Sequence, residues 1–326
     1  MEEHSFITLK REFIEYLRMH NYSEGTITRH GYCVDDFYEY LSLYTQIARL
    51  DQIDKHTVQD YQKYLYHRPK KTDPSKKMHP STQYKMITTL NTFFKFLVKQ
   101  SVILVNPCQD IELPKQEKAL PKAILSKPEI NRLLLVPDTT TTLGYRDRTL
   151  LEVLYSTGLR VNEVRNLTIY DINYNEGLVK VTKTKGKRDR VVPLGKIASE
   201  YVRDYIQNIR PKLTKPKSGT LLFLNRRGGK FSKTGINVLV KRYAKKAKIK
   251  KHITTHCLRH TCATLMLKGH ADIRHIQEML GHKSIESTQV YTRVLPLDLK
   301  RVHQRTHPRE KEAKQRLFHH KKALTN

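Results

Sequence analysis

The chain contains no tryptophan, only four cysteines, and no apolar run of the 18 or more residues that a membrane span needs. Cys33, Cys108, Cys257 and Cys262 form no C-x-x-C pair, which speaks against a disulfide framework and for reduced thiols in a cytosol. No apolar signal segment follows Met1. These absences describe a soluble, cytoplasmic protein without a membrane partner. Acidic residues are also scarce: 31 Asp+Glu stand against 61 Lys+Arg, a formal net charge of +30. At 326 residues and 38% hydrophobic, the chain is long and apolar enough for two domains of about 150 residues each.

So large a basic excess favours a polyanionic partner. Nucleic acid comes first, because neutralising phosphates releases counterions and supplies affinity independent of sequence. The charge is unevenly placed. Residues 1–112 hold 15 basic and 14 acidic side chains, whereas residues 113–326 hold 46 and 17. Within the first part, residues 68–99 carry eight basic residues and a single acid, Asp73.

Periodicity predicts four helices in the first hundred residues. Phe6, Leu9, Phe13 and Leu17 mark the first, and Ser23 caps a second with Ile27, Val34, Phe37 and Leu41 inward. Val58, Tyr61 and Leu65 mark a third. The polar segment from Pro69 to Pro80 breaks the pattern before Ser81 opens a fourth. Pro107, Pro114 and Pro121 punctuate an expected linker over 108–122. After it, Ser126 and Glu129 have capping-box spacing, and a helix over about 145–156 stops at Gly158. Beyond Ile169 the texture turns to alternation, as in Leu178-Val179-Lys180-Val181 and Val191-Val192-Pro193-Leu194, which predicts a small antiparallel sheet of about three strands. Helical patterns return near 197–209, 234–247, 256–268, 271–280 and 286–294. The expected fold is mainly α with a small antiparallel β-sheet.

One constellation rises above composition. It runs from Gly158-Leu159-Arg160-Val161-Asn162-Glu163 through Thr184-Lys185-Gly186-Lys187 and His256-Cys257-Leu258-Arg259-His260 to Leu280-Gly281-His282 and Tyr291. Paired arginines suit the non-bridging oxygens of a phosphodiester, and Lys and His can pass protons to a leaving oxygen. A tyrosine hydroxyl can attack phosphorus once nearby cations offset its pKa near 10. No Asp/Glu set suited to Mg²⁺ accompanies these residues, so no metal and no cofactor is expected.

At these residues the chain resembles the tyrosine recombinase (phage integrase-like) family, in LYSTGLRVNEVRNL, KTKGKRDRVVPLG, HCLRHTCATLML and MLGHKSIESTQVYTRV. It looks most like simple Xer-like recombinases and transposon resolvases. The resemblance implies a helical core-binding (SAM-like) domain over 1–107, a catalytic domain over 123–297 and a basic tail over 298–326, closing on DNA as a C-shaped clamp. The helical region begins near Met1, so no additional arm-binding domain is expected.

The resemblance implies a role at each matching position. Tyr291 attacks the scissile phosphate to give a 3′-phosphotyrosyl bond without ATP. Arg160 and Arg259 clamp the phosphate, Lys185 protonates the 5′-oxygen, His256 does acid/base work and His282 hydrogen-bonds the phosphate. Glu163 and His260 support them. The implied partners are double-stranded DNA with inverted-repeat core sites, a homotetramer formed as a dimer per site, and accessory DNA-bound proteins or copies. The tail is read as disordered, as a DNA contact or as a helix packed on a neighbouring protomer.

Expected DNA contacts are Thr26, Thr28 and Arg29 at the second helix, and Lys76, Lys77 and Lys85 in the basic stretch. Lys187, Arg188 and Arg190 near the predicted hairpin and Lys241, Arg242 and Lys245 complete them. Three bland readings stand beside these. Arg160 and Glu163, at i and i+3, also fit a surface ion pair. His256, Cys257, His260 and Cys262 invite zinc, but Cys257 points off the face that the histidines share and no outlying Cys/His pair has structural-zinc spacing. His270 and His275 read as ordinary surface histidines. Two other functions use the same residues: type IB topoisomerase-like relaxation, and a non-catalytic architectural DNA-binding protein of the same fold.

Overall fold

The structure, a computed structural model, describes residues 6–70, 73–115, 123–182 and 189–281. It divides into two compact units, Met1–Lys118 and Ala119–Asn326. In the first, α1 (Phe6–Met19), α2 (Glu24–Tyr44), α3 (Lys55–His67) and α4 (Pro80–Lys99) surround one core. Local chemistry starts each helix after the first. Ser23 accepts from the Thr26 N–H, Asp54 accepts from the Thr57 N–H, and Pro80 opens α4 where a backbone donor would have no partner. Inward faces then bring Phe13, Phe37, Tyr61, Phe93 and Phe94 together, with Phe13 and Phe93 edge-on at a centroid distance of 5.1 Å.

The segment expected only to interrupt the helices folds instead as an antiparallel ribbon, β1 (Pro69–Lys70) and β2 (Asp73–Lys77). Its root is pinned in the core. Arg68 donates to both oxygens of Asp36 at 2.7 and 2.9 Å, and the Tyr61 hydroxyl donates to the same carboxylate at 2.9 Å. Residues 108–112, expected to begin the linker, pack on this unit as well: Cys108 is buried in its core, and Gln62 donates to the Glu112 carbonyl.

In the second unit, α5 (Lys127–Leu135) opens on the reciprocal Ser126–Glu129 capping box. α6 (Thr142–Thr157) ends at Gly158, whose φ of +58° is left-handed backbone that favours glycine. The short α7 (Val161–Val164) leads to a three-stranded antiparallel sheet, β3 (Ile172–Asn173), β4 (Leu178–Val181) and β5 (Arg190–Pro193), in that spatial order. Val179, Val181 and Val192 face inward while Lys180 and Val191 face out, the period of two that made the sheet legible. α8 (Lys196–Asp204) continues through a π-helical turn into α9 (Arg210–Leu213), a longer helix than the expected 197–209.

α10 (Lys233–Lys246), α11 (Thr255–Lys268) and α12 (Ile273–Leu280) complete the described part. Burial of Cys257, Leu258, Arg259, Thr261, Cys262 and Ala263 makes α11 a central helix. The helix expected at 286–294 and the tail at 298–326 lie outside the described residues. The fold is mainly α with a small antiparallel sheet. No helix among the described residues is long and apolar enough to cross a membrane.

Candidate active site

The site is built on the C-terminal end of α12. Gly158 turns the chain out of α6 so that Arg160 begins α7 as its N-cap residue. The Arg160 side chain donates to Leu280 O at 3.3 Å, Gly281 O at 3.0 Å and Glu163 Oε1 at 3.2 Å. Its backbone N–H donates to Glu163 Oε2 at 2.8 Å. Arg259 lies on the second turn of α11 and is only 4% exposed. It donates to Gly158 O and to Leu280 O, both at 2.8 Å. The Leu280 carbonyl thus accepts from both arginines, which sets two guanidinium groups side by side. Unsatisfied carbonyls and the negative pole of α12 make this a favourable seat for cations.

Arg190, expected as a DNA contact, is turned inward. Its side chain is buried, donating to both oxygens of Glu163 at 3.0 Å and to Met279 O at 3.0 Å. It therefore braces β5 against α7 and α12. Gly281, with φ +64°, lies so close that an added Cβ would stand 3.1 Å from the Arg190 guanidinium.

Burial pushes the Glu163 carboxyl up, but hydrogen bonds from Arg190 and the Arg160 backbone, with both positive charges, hold it below the usual range. A depressed folded value gives stability that is complete above the unfolded value near 4.5 and is lost as pH falls through the folded one. Acid unfolding curves should therefore show a component below pH 4.5 in the wild type that Glu163→Gln lacks. Parallel curves for the two proteins would refute this role.

His256 is exposed on the first turn of α11. Partial desolvation, then the charges of Arg259, Lys233 and Arg160, hold its imidazole below the usual value, which favours the neutral form that can accept a proton. His260, one turn on and half-buried, is lowered first by desolvation and then by His256 and Arg259. Cys257 and Cys262 are buried thiols. Among the described residues, no three His, Cys, Asp or Glu side chains gather as a metal would need.

The structure thus brings together Arg160, Glu163, His256, Arg259 and His260. Lys185, His282 and Tyr291 lie outside the described residues, as do Lys187 and Arg188. The remaining candidates for DNA contact are spread over surfaces of both units. Thr28 and Arg29 are exposed and Thr26 half-buried at the start of α2, and Lys85 is exposed on α4. On β2, Lys76 pairs with Asp73 at 2.6 Å, and Lys77 Nζ sits 4.8 Å from the centre of the Tyr66 ring. Lys241 and Lys245 are exposed on α10, while Arg242 donates to Asp147 at 3.0 Å with about half its side chain accessible. Sequence reasoning missed the brace by Arg190 and the carbonyls of Met279, Leu280 and Gly281. A carbonyl carries no residue identity, and Arg190 sits in a charge run that reads as a DNA contact.

A mostly helical unit with a small sheet and an arginine pair at one helix end has the form of the catalytic unit of a DNA-cleaving recombinase. The phage integrase family profile matches residues 123–297, and the phage integrase SAM-like domain matches residues 5–113. The chain belongs to this family, as a tyrosine recombinase of Xer-like type, an enzyme that cleaves and rejoins DNA at specific sites.

It is 37% identical over 303 residues to tyrosine recombinase XerD of Staphylococcus epidermidis, covering 93% of this chain and 99% of that one. Identity to tyrosine recombinase XerD of Listeria innocua is 41% over 231 residues, covering 71% and 77%. Among solved structures, XerA recombinase is 26% identical with a TM-score of 0.51, covering 93% of this chain and 99% of that one. XerH site-specific recombinase, in a post-cleavage complex with a palindromic difH substrate, shares the fold at a TM-score of 0.71 and 22% identity, covering 92% and 84%.

Proposed function

We propose that this chain recombines pairs of duplex DNA sites with inverted half-sites, acting as a tetramer and passing through a Holliday junction. The helical domain and the catalytic domain (123–297) both contact the duplex. Tyr291 attacks the scissile phosphate, leaving a 3′-phosphotyrosyl bond and a 5′-hydroxyl. Lys185 protonates the departing oxygen, His256 takes part in proton transfer and His282 hydrogen-bonds the phosphate. Conserving the bond energy in the phosphotyrosine removes the need for ATP. The biological setting is resolution of DNA dimers or cointegrates, or integration and excision of a mobile element. XerH bound to difH and the Tn1549 transposon integrase bound to transposon-end DNA share this fold, which supports duplex DNA as the partner.

The observation that carries the reading is the convergence of Arg160 and Arg259 on Leu280 O. Glu163 is shared by Arg160 and Arg190, so two guanidinium groups divide a single carboxylate, and Arg259 adds a third positive charge at Leu280 O. Such a cluster is completed by an anion presenting two non-bridging oxygens, which arginine forks fit. It also suits the nucleophile. A tyrosine with pKa near 10 is ionised to about one part in a thousand at neutral pH, a handicap of about 4 kcal/mol. Fixed positive charge aimed at the phosphorus offsets it.

The test is covalent trapping on a nicked duplex cut from the inverted repeats flanking the gene, without Mg²⁺ or ATP. A denaturant-resistant adduct whose modified peptide contains Tyr291 is the expected result. Binding without an adduct across all candidate sites would instead describe an architectural protein. Relaxation of supercoils without joining of partners would describe a type IB topoisomerase.

A further inference from the structure

Lys233 is the first residue of α10, whose cap Ser232 accepts from the Gly235 N–H at 2.8 Å. Two ties fix where this lysine stands. Arg165, which follows α7, donates to Phe231 O at 2.9 Å and so fastens the entry of α10 to the turn that bears Arg160. Asn237, one helical turn after Lys233 on the same face, donates to Lys233 O at 3.1 Å. Its Oδ1 accepts from the Thr255 N–H at 3.2 Å and from the Thr255 hydroxyl at 3.1 Å.

Thr255 directly precedes His256, so the first turns of α10 and α11 are bolted together beside the arginine pair. Lys233 and His256 are both exposed there, and the lysine charge reaches the imidazole together with those of Arg259 and Arg160. No ion pair engages Lys233 among the described residues, and Glu163 is already shared by Arg160 and Arg190.

We propose that Lys233 is a positioning residue that binds a DNA phosphate adjacent to the one held by Arg160 and Arg259, and so sets the register of the strand in the site. The inference rests on the proposed function above. The residue types divide the work sensibly. A reacting phosphate needs the planar, two-pronged geometry of arginine, whereas a neighbour that only has to be held in place is served by the compact, rotatable charge of a lysine. Held at two successive phosphates, the strand cannot slide, and a near-attack geometry at phosphorus is preserved.

The experiment uses the full chain and the nicked duplex of the trapping assay, with Lys233→Gln and Lys233→Arg beside wild type. Binding is read as a function of salt, and adduct formation at saturating protein. Loss of one phosphate contact lowers the slope of log K against log salt by about 0.9. Lys233→Gln is expected to show that loss together with an adduct rate reduced about tenfold or more at saturation, as misplacement of a reacting group predicts. Lys233→Arg should restore both. An unchanged slope overturns the contact, and a reduced slope with an unchanged saturated rate overturns the register role. Failure of the functional reading is separately visible, since wild type would then form no adduct while its salt slope could still be compared with that of the variant.

Discussion

Arg259→Gln is expected to slow adduct formation by about 10²–10³-fold, the usual cost of removing one donor aimed at charge that develops in a transition state. The size of the effect follows from how completely the side chain is fixed. Arg259 is buried on a central helix, and its two terminal nitrogens are each held at 2.8 Å, by Gly158 O and Leu280 O. The guanidinium is therefore held in one orientation, with little rearrangement left for the moment of reaction. Glutamine is too short and uncharged to replace it.

Stability should suffer less, by about 1–3 kcal/mol for the carbonyls left short of a donor. Leu280 O keeps its bond from Arg160. Single-turnover kinetics on the nicked duplex, beside urea unfolding of the same preparation, separate the two effects. A rate within threefold of wild type, in a protein that unfolds normally, would remove Arg259 from the reaction.

Asp147→Ala should destabilise the second unit by about 3–5 kcal/mol, the cost of stripping the partner from a buried charge. Asp147 is buried on α6 and accepts from Arg146 Nε at 2.9 Å and Nη2 at 2.6 Å. Its other oxygen accepts from Arg242 at 3.0 Å and from the Tyr243 hydroxyl at 2.8 Å, which ties α6 to α10. Burial, then the bond to Asp147, pushes the Tyr243 hydroxyl up to about 12, so it remains a donor throughout the working range. Alanine would leave Arg146 charged and nearly inaccessible, with the Leu224 carbonyl and the Phe231 ring, 5.0 Å away, as its neighbours. Asp147→Asn, which retains an acceptor, should lose less. With no tryptophan in the chain, circular dichroism in urea is the natural probe. A loss below about 1 kcal/mol for the alanine variant would show that water enters and rescues Arg146.

Much of this architecture was legible where the determining chemistry is local. Ser23 and the Ser126–Glu129 pair act within four residues, so the starts of α2 and α5 could be read directly. Alternation over Leu178–Val181 announced a strand because one face of that sheet is buried. Asp73–Lys77 announced nothing. It has no β-branched residue and no buried face, and its ribbon depends on Arg68 reaching Asp36, 32 positions earlier. In the site, the Arg160–Glu163 contact follows from helical spacing, but the brace from Arg190 joins residues 27 apart. Arg190 reads as surface charge until the fold supplies its carboxylate. The basic residues of α10 read as DNA contacts, but the tie of its first turn to α11, from Thr255 to Asn237, joins residues 18 apart and left no local sign.

The arginines gathered on the last turn of α12 also bear on the energy of the protein without DNA. Like charges held this close repel, and the backbone carbonyls that restrain them soften the repulsion without cancelling it. Folding therefore performs work against an electric field, and the molecule retains that work as potential energy. Docking of a phosphodiester discharges it. Affinity and stability become two readings of one linked equilibrium: strain that lowers the folding free energy of the unliganded protein returns as binding free energy. A neutral residue at 259 would relieve part of this crowding, so its loss of stability should stay small beside its loss of phosphate binding.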